Sequence, residues 1–358
     1  MKKIVRLIFI IFNLLLVVLL LASTAAGMVP PDKFVWFSML SYAFLPLLIA
    51  NIGLVVLWLT VGSKWFLLST IAIALRWGIV CLYFQTGGAA EETKGNALKM
   101  MSYNMHQFNG NSYVETAPSA EQMDELAREF LGLVSEEKPD VMCLQEFLPH
   151  TRSVKVADSL SAMGYTYHIS AHPSQEYSTS IIWSRFPLIN GKHIDKSTKV
   201  MADVVKGHDT LSVISVHLTS YQLNATDFDE LENFSQGEVN QVQLKQTARK
   251  FKQTILAHAD EWEKIRPCVE QTTKPVLVAG DFNDPPASYI YQKMAHILKD
   301  SYREKGKGFG TTYSHKLGSF RIDYIFVSDK LQVRSYQRIK SPLSDHYPIV
   351  STIEFPTR

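Results

Sequence analysis

The sequence has 358 residues, of which 46% are apolar, 36 are basic and 34 are acidic. This composition excludes a largely disordered chain, and a net charge of +2 gives no indication of a nucleic-acid-binding protein. The three cysteines lie far apart in the sequence, so they indicate neither a metal-binding spacing nor a disulfide framework. Most uninterrupted apolar runs fall within the first 84 positions, so the sequence divides into a membrane-like part and a globular part.

The N-terminus begins with Lys2, Lys3 and Arg6 and continues as IFIIFNLLLVVLLLA. This pattern is typical of a transmembrane anchor or of a signal peptide, because the following ASTAAG could form a cleavage site. We favour the anchor, since a second charge-free stretch and a third apolar stretch follow. The sequence thus predicts a transmembrane region of about three helices, within residues 1–86, at 4–26, 34–60 and 65–84.

The third apolar stretch contains Arg76, and a charge at mid-membrane costs about 2.5 to 3.5 kcal/mol even on insertion scales. The side chain could face the interior of the helix bundle or a lipid headgroup, or it could extend to the membrane surface. Basic residues precede the first helix, and Lys64 lies between the second and third. Basic residues favour the cytoplasmic side of a membrane, so with three crossings they predict an extracytoplasmic catalytic domain, periplasmic if the source is bacterial. With two crossings the domain would be cytoplasmic.

A linker of small and charged residues at 87–96 separates this region from a predicted catalytic domain at 97–358. Apolar runs of strand length alternate with helical patterns, the clearest helix running from Ser119 to Glu136 behind a capping box. The predicted strands are ALKMMSYNM, DVMCLQE, TSIIWS, TLSVISVHL, VLVAGDF, RIDYIFVS and PIVSTIEF. This alternation predicts a mixed sheet, or a pair of sheets, covered by helices. The polar stretch from Ser220 to Asn240 is predicted to be a surface loop that could also shape a substrate groove.

Unusual polar side chains lie at or just beyond the ends of the predicted strands. Six segments contribute them: Asn104, Glu146, His217, Asp281, Asn283, Asp323, Asp345 and His346. Taken singly, a terminal Asn or Asp is usually a turn residue, and a lone histidine is usually a hydrogen-bonded core residue. Strands that are otherwise apolar enough to be buried do not need charges at their ends, because unpaired buried charge is costly. Together these residues predict a functional site.

The segments MSYNMHQF, DVMCLQEF, ISVHLTS, VAGDFNDPP, FRIDYIFVS and LSDHYPIV resemble, in order and spacing, the motifs of the endonuclease/exonuclease/phosphatase superfamily. The resemblance covers nearly all of the sequence from Leu98 to Ile353. It implies an α/β (α+β) fold of two packed mixed β-sheets flanked by helices, a four-layer sandwich. It also implies a metal-dependent phosphoester hydrolase, with a phosphodiesterase as the first hypothesis.

The same resemblance implies a bound Mg²⁺ or Mn²⁺ ion, which prefers oxygen ligands. Glu146 is then the principal metal ligand, Asn104 its partner, and Asp345 a ligand of the same or a second ion. His106 stands where some relatives carry an acidic residue, which leaves the number of ions open.

The remaining roles also follow from the resemblance. Asp281 would orient and deprotonate the attacking water, and Asn283 would donate its amide to the phosphoryl oxygens. His217 and His346 would contact the non-bridging oxygens, while Asp323 would hold the His346 ring in one tautomer.

The substrate is not determined by the fold, and a nucleic acid or a phospholipid head group would both suit an enzyme anchored to a membrane. A phosphomonoesterase or a lipid phosphohydrolase of sphingomyelin or phosphoinositide type is an alternative. An alternative of another class is a catalytically silent, membrane-tethered binding domain. No protein partner is evident from the sequence.

Overall fold

The computed structural model describes residues 2–110, 118–172, 179–195, 198–223, 227, 240–315 and 318–356. The predicted loop from Ser220 to Asn240 lies mostly outside these residues. The chain forms two compact units. The first comprises Met1–Phe84, Tyr221–Asp260 and Asp284–Met294, and the second comprises Gln85–Ser220, Glu261–Asn283 and Ala295–Arg358. The sequence-based division into residues 1–86, 87–96 and 97–358 stays a prediction.

The first unit contains the N-terminal helices. Their bounds are α1 Lys2–Ala26, α2 Pro31–Ser38, a 3₁₀ turn Met39–Ala43, α3 Phe44–Thr60, α4 Phe66–Leu75 and α5 Trp77–Val80. Within the described residues, the helical stretches Lys3–Ala26 and Pro31–Thr60 are long and apolar enough to cross a membrane. The third predicted stretch forms a ten-residue helix that ends one position before Arg76, and its crossing of a membrane stays a prediction.

Three of these helices meet around a small polar group in their interior. Asn13 of α1, Asn51 of α3 and Ser69 of α4 are fully buried. The Ser69 hydroxyl lies 2.7 Å from Asn13 Oδ1 and 2.9 Å from Asn51 Oδ1, so its single proton can be donated to either. Because polar side chains in an apolar bundle need partners, this group ties α4 to both longer helices.

The second unit contains two large sheets, whose strands alternate with helices along the chain. The strands are β1 Phe84–Thr86, β2 Ala97–Asn104, β3 Val141–Phe147, β4 Tyr167–Ser170, β5 Thr179–Ser184, β6 Leu188–His193, β7 Lys199–Lys206, β8 Asp209–His217, β9 Val276–Asp281, β10 Lys299–Asp300, β11 Lys307–Phe309, β12 Tyr313–His315, β13 Gly318–Phe320, β14 Asp323–Val327, β15 Gln332–Arg338 and β16 Ile349–Glu354. The remaining helices of the chain are α6 Ala120–Glu137, α7 Val156–Ala162, α8 Gln241–Glu270, α9 Tyr289–Ile297 and α10 Ser301–Lys305.

Each sheet has six strands in the described part of the chain. The orders are β15-β16-β2-β3-β5-β4 and β10-β14-β9-β8-β7-β6. The pairs β2–β3 and β8–β9 are parallel, and the other pairs are antiparallel. Both parallel pairs have a helix between their strands, α6 in one and α8 in the other, as parallel strands require. The predicted fold class, two mixed sheets flanked by helices, is confirmed.

Side chains alternate between two apolar layers, as the period of a strand requires. Met100 and Cys143 pack with Val213 and Ala279 in the core that the two sheets share. The next residues along β2 and β3 belong to a second core, which includes Phe130 of α6. The predicted capping box of α6 is present, because Ser119 Oγ accepts from the Gln122 amide and the Gln122 side chain accepts from the Ser119 amide.

Candidate functional site

The predicted site residues lie at one edge of each sheet because of how the strands are paired. In the parallel pair β2–β3, Asn104 lies opposite Gln145, so Glu146 follows at the same carboxyl end. In the other sheet, Asp281 lies opposite His217 on one side and opposite Asp323 on the other. The strand ends therefore bring these side chains together from distant parts of the sequence.

Asp281 is at the centre of the group and is only 1% exposed. Its Oδ2 accepts a 2.9 Å hydrogen bond from Asn104 Nδ2 of the other sheet. The Nε2 atoms of His217 and His346 each lie 3.7 Å from the same oxygen. Burial raises the pKa of the Asp281 carboxyl above its ordinary value, although the neighbouring histidines oppose that rise.

His346 follows Asp345 in the segment before β16 and is held by Asp323. Its Nδ1 lies 2.9 Å from Asp323 Oδ2, which leaves Nε2 directed at Asp281. Burial by itself would lower the pKa of His346, but the charges of Asp323 and Asp281 outweigh burial and raise it to about 10. The imidazole is therefore a cation at neutral pH.

Glu146 is more accessible, with a side chain that is 24% exposed. Its Oε1 lies 3.5 Å from Asn104 Nδ2 and 3.8 Å from His217 Nε2, and its Oε2 accepts a 3.2 Å hydrogen bond from Gln107 Nε2. Glu146 has a positive φ of 50° and lies within the irregularity of the β3–β5 pairing between Leu144 and Phe147. This bend turns the carboxylate out of the regular alternation of the strand.

Asn104 serves as a bridge between the carboxylates. Its Oδ1 accepts from the His106 backbone amide at 3.1 Å, which fixes the orientation of the side-chain amide. Its Nδ2 consequently faces Asp281 and Glu146. In this orientation Asn104 places the two carboxylates and presents its nitrogen, rather than its oxygen, to the site.

Asp345 lies beside β2 rather than at the centre of the group. Its Oδ1 lies 3.2 Å from Ser344 Oγ and 3.5 Å from His106 Nδ1. Ser344 Oγ also lies 2.9 Å from the Asn104 carbonyl oxygen, which connects this segment to the end of β2. The departure at His106 noted in the sequence therefore places an imidazole next to one of the predicted metal ligands.

Asn283 completes the group through its contacts with Asp281. Its backbone amide donates to Asp281 Oδ1 at 2.8 Å, and its Nδ2 lies 3.0 Å from the Leu218 carbonyl oxygen and 3.3 Å from Asp281 Oδ2. A φ of 50° allows the chain to turn back on Asp281 in this way. Phe282 between them is fully buried, as the alternation of the strand predicts.

Two residues at the site were missed by the sequence reasoning. Gln107 donates to Glu146, and the Tyr313 ring lies 4.9 Å from the His346 ring. Gln107 is three positions after Asn104 in a stretch without strand alternation, so no periodic signal marked it. Tyr313 lies on a short strand outside the recognised motifs, and aromatic residues near strands are usually core residues.

The donor set suits a hard divalent cation, because it consists of carboxylate oxygens with amide and imidazole groups around them. Asp281, Asp323 and His346 are buried, and one potential ligand atom from each lies within 4.8 Å of the others. However, Asp323 and His346 already bind each other, and Asp281 accepts amide hydrogen bonds from Asn104 and from both the backbone and the side chain of Asn283. The more accessible Glu146 therefore fits the position of a metal ligand better than these three residues do.

Solved structures with a similar fold include two TDP2 proteins and a bacterial protein. A humanized D. rerio TDP2 with 14 mutations is 17% identical, with a TM-score of 0.50, over 72% of this chain and 99% of that chain. Truncated Caenorhabditis elegans TDP2 is 19% identical, with a TM-score of 0.50, over 74% of this chain and 100% of that chain. An endonuclease/exonuclease/phosphatase from Bacteroides vulgatus is 15% identical, with a TM-score of 0.50, over 73% of this chain and 99% of that chain. At these identities the likeness shows the fold.

Two packed mixed sheets, with acidic, amide and imidazole groups converging at the strand ends, define an α/β protein whose site suits a cation and a phosphoester. The sequence model of the endonuclease/exonuclease/phosphatase family matches residues 101–346, and the chain belongs to this family. The family implies a phosphoric ester hydrolase. Residues 5–83 match a separate domain of unknown function. No curated protein matches the chain.

Proposed function

We propose that this chain is a divalent-metal-dependent phosphodiesterase in which water attacks the phosphorus of a phosphoester. The observation that carries the proposal is the buried Asp281, which accepts from Asn104 and lies between two imidazoles. This arrangement places one proton acceptor beside two groups that can stabilise negative charge. Metal-assisted ester hydrolysis needs both.

Asp281 is the proposed general base. A raised pKa brings a carboxylate closer to the operating pH, where proton transfer from water is more favourable. Its Oδ1 is fixed by the Asn283 backbone amide, so the carboxylate has one orientation. The side-chain nitrogen of Asn283 donates to the Leu218 carbonyl oxygen and to Asp281. One of these two hydrogen bonds must break before the amide can donate to a phosphoryl oxygen.

His346 and His217 are the proposed stabilisers of phosphoryl charge. The Asp323–His346 pair keeps His346 protonated, so this imidazolium can donate from Nε2 and neutralise charge on a non-bridging oxygen. His217 approaches the same carboxylate from the neighbouring strand, at 3.7 Å from Asp281 and 3.8 Å from Glu146. The two rings thus line a position next to the base.

Glu146 and Asp345 are the residues that would hold the Mg²⁺ or Mn²⁺ ion. When bound, such an ion polarises a phosphoryl oxygen and neutralises charge as the ester bond breaks. Asn104 contacts both Glu146 and Asp281 and so fixes the distance between the two carboxylates, and Gln107 restrains the second oxygen of Glu146. Their role is to keep the carboxylates in position.

The test uses the full chain in detergent and compares bis-p-nitrophenyl phosphate with p-nitrophenyl phosphate, with and without Mg²⁺ or Mn²⁺. The diester should be hydrolysed faster, and Glu146→Ala, Asp281→Ala and His346→Ala should each lose at least about a hundredfold in rate. His150→Ala and Asp329→Asn, at exposed positions, are matched controls that should retain full rates. Faster hydrolysis of the monoester would favour a phosphatase. Wild-type rates in all three site variants would contradict the assignment, and binding without turnover would indicate a silent domain.

The substrate class is proposed to be a phosphodiester of a nucleic acid or of a phospholipid head group. A nuclease would be expected to have a cluster of cations for phosphates. Of the basic residues on α8, Lys250 already contacts the Asp227 carboxylate. A panel of DNA, RNA, sphingomyelin and phosphoinositides, assayed with wild type and Asp281→Ala, would separate the two classes.

The N-terminal helices are proposed to anchor the protein with its catalytic part on the extracytoplasmic side. Arg6 lines a cavity together with Gly62, so the basic N-terminus and the Lys64 turn lie at one end of the helices. Tyr42, which is near the other end, contacts Asp284. The positive-inside rule then assigns the basic end to the cytoplasm. A C-terminal reporter that works only in the cytoplasm should stay silent; an active reporter would contradict this topology.

A further inference from the structure

The carboxylate of Asp284 has an unusual set of partners within the unit that contains the N-terminal helices. Tyr42, in the 3₁₀ turn before α3, contacts Asp284 Oδ1 through its hydroxyl. The Tyr221 hydroxyl lies 2.8 Å from the same oxygen and 2.5 Å from the Tyr42 hydroxyl. His258 Nδ1 of α8 is 3.0 Å from this oxygen as well. Asp284 itself is only 2% exposed.

The surroundings of this cluster are apolar and closely packed. The Phe251 ring lies 4.7 Å from the Tyr221 ring and 6.2 Å from the Tyr42 ring. Burial, followed by the Asp284 charge, raises the pKa of Tyr221 well above its ordinary value, so its hydroxyl keeps its proton as a donor. A buried carboxylate is stable only when its oxygens are satisfied, and here the hydroxyls of Tyr42 and Tyr221 supply the donors, with the His258 ring beside them.

A second contact holds the same segment against the helices. Ala287 is 2% exposed and packs with Leu20 and Phe44. A Cβ atom at Gly27, directly after α1, would lie 2.1 Å from the Ala287 carbonyl oxygen, so only glycine permits this approach. Pro285 and Pro286 lie between the two contact points and restrict the backbone there. The segment from Asp284 to Ala287 is therefore fixed at both of its ends.

Asp284 directly follows Asn283, which has the left-handed backbone that places its amide on Asp281. Consecutive Cα atoms are about 3.8 Å apart, so a displacement of Asp284 is transmitted to Asn283. A residue with a side chain and a positive φ is held in that conformation by its surroundings.

We propose that Tyr42 is a positioning residue for the hydrolytic site, acting through Asp284 on Asn283 and Asp281. The N-terminal helices then do more than anchor the protein, since one of their side chains helps to set the backbone next to the general base. This inference rests on the proposed function for its catalytic consequence. Its structural core, the coupling of Tyr42 to the Asn283 backbone, can be measured without substrate.

The first variant is Tyr42→Phe in the full chain in detergent, which removes one hydroxyl and keeps the ring. Its kcat on bis-p-nitrophenyl phosphate should fall about tenfold with KM unchanged within about twofold, because a small misplacement of reacting groups slows the chemical step. Tyr42→Phe/Tyr221→Phe should lose more. Tyr167→Phe, which changes a 40% exposed ring on β4, is the matched control and should have wild-type kinetics.

Hydrogen–deuterium exchange supplies the readout that is independent of activity. In Tyr42→Phe, the peptide that contains Asn283 should exchange about tenfold faster, whereas the peptide of β2 should keep its wild-type rate. If wild type is inactive but this local acceleration occurs, the coupling holds and the proposed hydrolase function fails. Unchanged exchange and unchanged kcat in Tyr42→Phe would overturn the inference. Faster exchange throughout the chain, together with a lower Tm, would also overturn it, because the tyrosine would then have only a general stabilising role.

Discussion

Gly280 offers a direct test of how closely the site depends on the packing of its strands. It precedes Asp281 in β9 and has a φ of 150°, a conformation that residues with side chains rarely adopt. In the parallel pairing with β8, Gly280 lies opposite Val216. A Cβ atom at this position would lie 1.8 Å from the Val216 carbonyl oxygen and 2.8 Å from its carbonyl carbon. Gly280→Ala therefore places a methyl group inside the backbone of the neighbouring strand.

The size of the effect follows from these distances. Real Cβ atoms essentially never approach other heavy atoms within 3.0 Å, so a contact of 1.8 Å requires the two backbones to separate by more than 1 Å. Such a movement breaks ladder hydrogen bonds, each of which contributes about 1 kcal/mol, and the strained backbone adds about 1 to 3 kcal/mol. The expected loss in the free energy of unfolding is about 3 to 5 kcal/mol.

Thermal unfolding of the full chain, followed by tryptophan fluorescence, measures this loss. Tm should fall on the order of 10 °C, and hydrolysis should fall at least about a hundredfold because His217 and Asp281 face each other across the displaced pair. Gly132→Ala is the matched control: apart from α6 itself, no atom of the described residues lies within 4 Å of a Cβ at Gly132, so alanine should stabilise the helix by about 0.5 to 1 kcal/mol. A Gly280→Ala protein with wild-type Tm and activity would refute the reasoning.

Three further predictions concern single side chains. Gln107→Ala should raise the Mg²⁺ concentration needed for half-maximal activity by about tenfold, because the second oxygen of Glu146 loses its restraint; an unchanged metal titration would contradict this role. Asn104→Asp should lower the rate at least about a hundredfold, since it places a third carboxylate against two others; an isosteric variant with wild-type rates would remove Asn104 from the site. Partial burial would raise the pKa of Asp195, but the Lys199 ammonium at 2.7 Å outweighs burial and lowers it. The stabilisation from Asp195 is therefore present above its unfolded pKa of about 3.9 and is lost as the pH falls below that value. Between pH 5 and pH 3 the wild type should accordingly lose more Tm than Asp195→Asn, and equal losses would contradict the coupling.

Most strands that are buried on both faces could be predicted from the sequence, whereas mostly exposed strands could not. The stretches ALKMMSYNM, DVMCLQE and VLVAGDF were predicted as strands and form β2, β3 and β9. Strands β6 and β15 were missed, because their side chains are mostly exposed or half-exposed and carry no apolar alternation. Strand β7 was missed for another reason: it begins with Lys199, a lysine that is only 1% exposed and is paired with Asp195 and Glu261. A buried ion pair has no signature in a single sequence.

The predicted site residues are brought together by the structure, but their mutual orientation could not be predicted. Alternation along a strand indicates which face a side chain occupies, and parallel pairing explains why Asn104 and Glu146 share an edge. The contact of Asn104 with Asp281 crosses from one sheet to the other and depends on how the sheets pack. The catalytic and metal-binding roles of these residues stay predictions.

The backbone around the site explains why the positions of these residues could be predicted and their orientations could not. Asp281 ends a regular strand, so its position follows from the register of β9 with β8 and β14. By contrast, three residues around the base have a positive φ: 54° at Gln107, 50° at Glu146 and 50° at Asn283. Each such conformation is unfavourable for a residue with a side chain and persists only where surrounding contacts outweigh its cost. Local propensity would place these three side chains elsewhere, so their orientation is determined by tertiary contacts. The proposed base is thus set by sheet register, whereas the groups around it depend on the contacts that hold their backbones, which is why a change as distant in sequence as Tyr42→Phe is expected to affect turnover.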